Sequence, residues 1–459
     1  MSARSDAFLA PAPRPQPRPL STPAFIWTAM RNPIEIWGEQ AYRERVLRSD
    51  WLRVPTVIVN DPAAIRHCLV DNAANYAMQP LRQRVLRPML RDGLLTAEGE
   101  LWRRTRRAMA PVFTPRNVGG LAAVMAARSL AFADRLARSE TDGPRDVANE
   151  MTLLTYDILQ ATLFTDAIAG EPAEFARAMD DFLHRMGRID PLDLLDAPAF
   201  LPRIGRLLGH RSTTYFRRLI TETAERRRAL IAADPASAPR DLLTLLLQTE
   251  GLSASEVEDN IITFIGAGHE TTARALGWTL YLLASAPTER DRVERELDER
   301  LPGLPNPGDW ADALPRTRAA LEEAMRLYPP APSLNRMAIE ADTVGGMAVP
   351  AGASLLVMPW LVHRHEALWE RPGHFLPERF SPENRARIDR FQYIPFGVGP
   401  RVCIGASFAL QEGVIALACL MRTLRFDYAG ARPPHPVQKI TVQPRGGLPM
   451  RVTRRRKSP

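Results

Sequence analysis

The segment from Ser253 to Ala286, SASEVEDNIITFIGAGHETTARALGWTLYLLASA, opens on a capping box of Ser253 and Glu256 and meets no proline until Pro287. At 1.5 Å per residue such a helix is about 50 Å long. It is apolar on nearly every face from Ile261 to Ala267 and again from Leu276 to Ala286, so it must pass through the interior. An enclosed helix of that length needs a large body around it. The chain can supply one, with 459 residues, 45% hydrophobic and 24% charged. This length fits about three domains or one large helical domain with a subdomain.

Sixty Lys and Arg against 52 Asp and Glu leave a net charge of +8. Arg454, Arg455, Arg456 and Lys457 carry half of that excess, so the body is only mildly basic and the end reads as a solvated basic tail. Dispersed aromatics, at 7%, argue against nucleic-acid binding. Cys68, Cys403 and Cys419 form no CxxC pair and are too few for a disulfide framework, which suggests a reducing compartment. Leu20 to Met30 is too short and too interrupted to span a membrane, and the N-terminus has no signal-peptide pattern. These features predict a cytoplasmic protein without a membrane span.

Alternating prolines from Pro11 to Pro19 favour an extended arm, residues 1–23, with the fold proper over 24–450 and a basic tail over 451–459. VPTVIV at Val54 to Val59 predicts a strand, followed by a helix with Asp61 as N-cap and Pro62 in its first turn. Most of the next 260 residues read as helices, and a short β segment is expected at Ala353 to Met358. A turn-rich stretch with Pro372, Pro377 and Pro395 then leads to a helix from about Gly405 to Met421. A loop that long inside a domain tends to be functional.

FGVGPRVCIG, Phe396 to Gly405, puts one cysteine in a glycine-rich loop that runs straight into an apolar helix. Gly397 and its neighbours let the backbone bend close to something bulky, and the unpaired N–H groups of the following helix favour a thiolate at Cys403. Elsewhere, Glu323 and Arg326 stand three apart on one helix face, Trp102 and Arg106 four apart on another, and Glu270 and Thr271 sit mid-helix beside Gly266 and Gly268. Glycine costs a helix roughly 1 kcal/mol relative to alanine. A purely structural helix would avoid two of them here.

Phe396, Gly399, Arg401, Cys403 and Gly405 match FxxGxRxCxG, and the chain thereby resembles the cytochrome P450 family from roughly Pro55 to Pro449. The resemblance implies a mainly α (α+β) fold, a large helical domain with a smaller β-rich lobe and haem b between the central helix and the cysteine helix. It makes Cys403 the axial thiolate of the haem iron, which favours O–O cleavage. Glu323 and Arg326 become the ExxR pair, joined by Arg379 of PERF as a structural cluster. Trp102, Arg106, Arg336 and Arg401 become propionate partners, with His363 a weaker candidate. His363, His365 and His374 together lack a completed metal ligand set.

Ala267, Gly268, Glu270 and Thr271 fall on the family's acid-alcohol motif, AGHETT, which implies proton delivery to dioxygen. Pocket-lining segments are expected in a loop from Asn75 to Leu95, at Ile262 to Ala267, at Leu334 within Pro332 to Asn335, and near Leu448. Their apolar character suits a fatty acid, terpenoid or aromatic substrate. Arg82, Arg84, Arg87 and Arg91 read either as a carboxylate site at the mouth or as solvated residues. The resemblance further implies a monooxygenase fed by NAD(P)H through a reductase and a separate ferredoxin or flavodoxin. A peroxygenase or isomerase, and a haem protein that only carries a ligand, are the alternatives; the intact Glu270–Thr271 pair argues against both.

Overall fold

The computed structural model describes residues 7–51, 54–139, 143–168 and 210–455, with a few positions between 169 and 209; Arg456 and Lys457 lie outside the described residues. The mainly α architecture with small sheets is as expected. The principal helices are α1 (Thr22–Arg31), α2 (Pro80–Leu90), α3 (Gly99–Met109), α4 (Pro115–Arg138), α5 (Val147–Leu163), α6 (His210–Ala233), α7 (Ala254–Ser285), α8 (Pro315–Leu327) and α9 (Ala406–Thr423). Among the described residues no helix is long and apolar enough to cross a membrane.

Helix α7 runs through the centre because its ends are fixed locally and its faces are apolar. The Ser253 hydroxyl accepts from the Glu256 N–H while the Glu256 carboxylate accepts from the Ser253 N–H. Ile261 is buried, and Leu276, Leu280 and Leu283 are buried on successive turns. Gly268 has a packing reason that its sequence neighbours do not disclose: a Cβ there would stand 2.4 Å from Leu159 Cδ1 on α5. The two helices therefore cross closely at that point. Trp278 stacks on Tyr328 beyond the end of α8, with ring centroids 3.9 Å apart, and both are fully buried.

The principal strands are β1 (Val46–Trp51), β2 (Val54–Val59), β3 (Tyr76–Met78), β4 (Arg336–Ala338), β5 (Ser354–Leu356), β6 (Leu424–Tyr428), β7 (Pro436–Gln438), β8 (Val442–Pro444) and β9 (Pro449–Arg454). The larger sheet has the order β1-β2-β5-β4-β3, in which β2 and β5 pair in parallel with Thr56 opposite Ser354. Asp61 caps the helix after β2 by accepting from the Ala64 N–H. β7 and β8 form a hairpin whose turn, residues 439–441, reaches α7.

The described residues nearest both termini are held against the body. Leu9 bridges to His374, the Ala10 N–H donates to Gly373 O at 3.0 Å, and the Tyr328 hydroxyl donates to Pro11 O at 2.8 Å. The proline-rich stretch is thus extended but docked on the helical body. Arg451 to Arg454, read from sequence as the start of a solvated tail, lie in β9 and pair with β6. Arg455 is buried against Glu294 and Asp298, whose opposite charge removes the repulsion that would keep a basic run in water.

Candidate haem and oxygen-activation site

The loop 396–405 folds back on itself through a Cys403 N–H to Phe396 O hydrogen bond of 2.9 Å, followed at Gly405 by the start of α9. Gly399 makes this possible. Its φ is +76°, and a Cβ would lie 1.8 Å from Leu69 O, so only glycine fits. Behind the loop, the Ile394 N–H donates to His363 Nε2 at 2.9 Å, which assigns the buried His363 a backbone-bracing role and makes it neutral. His365 instead contacts Glu44 O, and among the described residues no three His, Cys, Asp or Glu side chains form a metal-holding group.

Cys403 faces a cavity of about 2200 Å³ that runs from the loop, along α7, to α1 and the β7–β8 hairpin. Burial pushes the Cys403 thiol above its ordinary value, opposed by the Gly405 N–H and the Arg106 charge. The helix terminus does favour the thiolate, as expected from sequence, but does not overcome burial by itself; a bound cation would complete the deprotonation.

Around the cavity, Arg401 lies over the Trp102 ring at 4.8 Å and Arg106 at 5.8 Å, and Arg401 donates to Ala97 O at 2.8 Å. Burial lowers Arg336 to about 9, helped by the neighbouring charges of Arg82 and Arg401. Burial and Arg401 likewise lower Arg82 to about 10. Three guanidinium groups crowd together with Glu98, 4.0 Å from Arg401, as the nearby counter-charge among the described residues. This is a cradle for an anion of two carboxylates, and with the cysteine sulfur in the same cavity it fits haem b. Arg82 was the unresolved residue in the sequence: it sits on α2, in what was expected to be a loop, and donates to Ser333 O. Of its companions, Arg84 donates to Asp193 O and Arg87 pairs with Asp92 at the surface.

Glu323 and Arg326 are fully buried on α8 and joined by two hydrogen bonds of 2.7 and 2.8 Å. Arg326 spends its remaining donors on the carbonyls of His363, Pro372 and His374, and Glu323 accepts from the Leu376 N–H. Arg379 approaches Glu323 at 3.4 Å. The cluster thereby pins the meander 363–379 that precedes the cysteine loop.

On the other wall, Ala267, Gly268, Glu270, Thr271 and Leu334 line the cavity. Ile262 and Leu448, expected there, do not. Ile262 points into the core, and Leu448 packs against Gly277, further along α7. Their hydrophobicity served the core instead of the pocket. The Thr271 hydroxyl donates to Ala267 O at 2.9 Å, while Glu270 is paired with Arg274 at 2.7 Å and accepts from the Thr441 hydroxyl at 3.0 Å. Arg274 and Thr441 were not singled out in the sequence. The i, i+4 spacing of Glu270 and Arg274 was the signal available.

Residues 25–449 match the family model for cytochrome P450. The chain belongs to the cytochrome P450 family. It is 31% identical over 408 residues to cyclooctatin synthase from Streptomyces melanosporofaciens, covering 86% of this chain and 84% of that protein. It is 30% identical over 413 residues to a cytokinin hydroxylase from Arabidopsis thaliana, covering 86% and 78%. With the Arabidopsis thaliana chloroplastic protein LUTEIN DEFICIENT 5 it shares 29% identity over 430 residues, 87% of this chain and 70% of the relative. This P450 is accordingly a haem-thiolate monooxygenase with haem b as cofactor, acting with dioxygen, a substrate and a redox partner.

Proposed function

We propose that this P450 hydroxylates or epoxidises an apolar molecule of the fatty acid, terpenoid or aromatic class. The observation that carries the reading is that the cavity holding Cys403 is also lined by Leu86, Leu90, Leu94, Phe264 and Leu334. Such a wall desolvates an apolar substrate and offers few polar groups to fix its orientation. When bound, haem supplies the activation of dioxygen, with the cysteine thiolate favouring O–O cleavage.

The chain's own residues do the rest. Cys403 would anchor the group from the loop side; Arg106, Arg336 and Arg401, with Arg82, would neutralise its carboxylates, to which the Trp102 indole N–H would donate; Phe396, Gly397 and Gly405 would shape the loop that receives it. Ala267, with its small side chain, lines the cavity where the group would sit, while Gly268 admits Leu159 of α5. The Thr271 hydroxyl holds a water next to the reacting oxygen, and Glu270 returns protons from solvent. One oxygen atom enters the substrate and the other leaves as water, consuming two electrons and two protons. The electrons come from NAD(P)H through a separate ferredoxin or flavodoxin, for which exposed Arg103 and Arg107 on α3 offer a basic face.

A panel of fatty acids, terpenoids and aromatics should shift the Soret band to the blue, and a surrogate ferredoxin system should turn the responding compounds into mono-oxygenated products. Cys403→Ala should lose the thiolate spectrum with carbon monoxide. Exclusive turnover of hydrophilic compounds would overturn the substrate class.

A further inference from the structure

Glu270 does not stand free in its helix. One carboxylate oxygen, Oε1, takes both the Arg274 guanidinium at 2.7 Å and the Thr441 hydroxyl at 3.0 Å. The other, Oε2, is buried without a hydrogen-bond partner. Arg274 is on the same helix one turn on, whereas Thr441 comes from the β7–β8 turn, far along the chain. Glu270, Arg274 and Thr441 all line the cavity, together with Gln438, Lys439 and Gln443 of the hairpin. The acid is therefore gripped from two sides on one oxygen and left with one acceptor to spare.

We propose that Arg274 and Thr441 are the positioning residues of proton delivery in this chain, holding Glu270 by Oε1 so that Oε2 is the acceptor for the water that connects it to Thr271. The inference rests on the assignment of Glu270 and Thr271 to proton handling and says how their acid is set. A buried acceptor without a partner on the hairpin side of the cavity, where Gln438, Lys439 and Gln443 line it, is where an ordered water is stable. A clamp built partly from the hairpin makes proton supply depend on the hairpin's seating against α7. Protons then reach the site from the side of residues 438–443, and the carboxylate gives one up only as another arrives.

The charges support this placement. Burial pushes the Glu270 carboxyl up, but Arg274, then His269, then the hydrogen bonds from Arg274 and Thr441 hold it below its ordinary value. Arg274 and His269 face it from its own helix, and the Thr441 hydroxyl is what meets it from the hairpin. Without Arg274, burial is opposed only weakly and the carboxyl takes up its proton at higher pH.

The test uses haem-loaded protein with a surrogate ferredoxin, its reductase and NADPH, without added substrate, following oxygen consumption and hydrogen peroxide release from about pH 9 down to about pH 3 or the lowest pH at which the protein stays folded. Infrared titration of the carboxyl band absent from Glu270→Gln provides a readout independent of turnover. Arg274→Gln should move both profiles upward by at least about one unit, a tenfold change in proton affinity. Thr441→Val should move them the same way by less, and Arg274→Lys should restore them. If Arg274→Gln and Thr441→Val fold and superpose on the wild type while Thr271→Ala and Glu270→Gln still change peroxide release, the clamp is wrong and the proton assignment stands. If Thr271→Ala and Glu270→Gln also leave oxygen consumption and peroxide unchanged, the assignment itself falls.

Discussion

Arg326 and Glu323 form an ion pair with neither side chain exposed to water, and every other polar atom of the guanidinium is used on a main-chain carbonyl of the meander 363–379. A surface pair at this spacing would contribute under about 1 kcal/mol. Here removal of one partner leaves the other charge stranded, at about 3–5 kcal/mol.

Glu323→Ala or Arg326→Ala should accordingly yield protein with little haem and a strongly lowered melting temperature. Haem-to-protein absorbance ratio after purification measures it. A variant with full haem content would show that the meander is held by other contacts.

The glycines of the cysteine loop should differ sharply in tolerance. Gly399→Ala combines a left-handed φ with a backbone collision and should cost more than about 3 kcal/mol. Gly397→Ala has φ +70° but nothing nearer than 3.6 Å, so about 1–2 kcal/mol is expected. Thermal unfolding of the two variants decides it, and equal losses would contradict the ranking.

Glu412 on α9 is buried with neither carboxyl oxygen hydrogen-bonded, and burial pushes it up to about 8, with only the Thr272 hydroxyl opposing from near by. Between about pH 4.3 and 8 the native state keeps a proton that the unfolded chain releases, so stability is lost as pH rises through that window. Glu412→Gln should melt about 2–5 °C above the wild type at pH 9 and gain little at pH 4. Parallel melting curves across the range would contradict the unpaired carboxyl.

Charge reversal at Arg103 and Arg107 should slow reduction by an acidic ferredoxin at least about tenfold at low ionic strength, with the gap closing as salt rises. Stopped-flow reduction measures this. Unchanged rates would place the donor on another face.

Local signals were legible in advance. The capping box and Pro287 bound α7 to within one residue of Ala254–Ser285, and the β-branched run marked Val54–Val59, because those determinants are adjacent in sequence. The cysteine loop was equally readable from FxxGxRxCxG. What was hidden depends on contacts between distant segments. Arg82 became part of the anion cradle only once α2 lay beside β4 and the cysteine loop. Arg451 to Arg454 read as a tail because their strand partners, residues 424–428, say nothing in the local sequence. Ile262 and Leu448 were apolar for the core, and apolarity alone does not tell a core wall from a pocket wall.

The docking of the proline-rich stretch has a consequence for biosynthesis. Phe8 and Ala10 exchange main-chain hydrogen bonds with Phe375 and Gly373, in the same meander whose His374 carbonyl Arg326 holds. At roughly 5–20 residues per second, a ribosome emits the first strand of this contact about 20–70 s before the second. Phe8 and Ala10 must wait for these partners until the scaffold of the cysteine loop leaves the exit tunnel, so a segment made long before the meander settles only when the meander arrives.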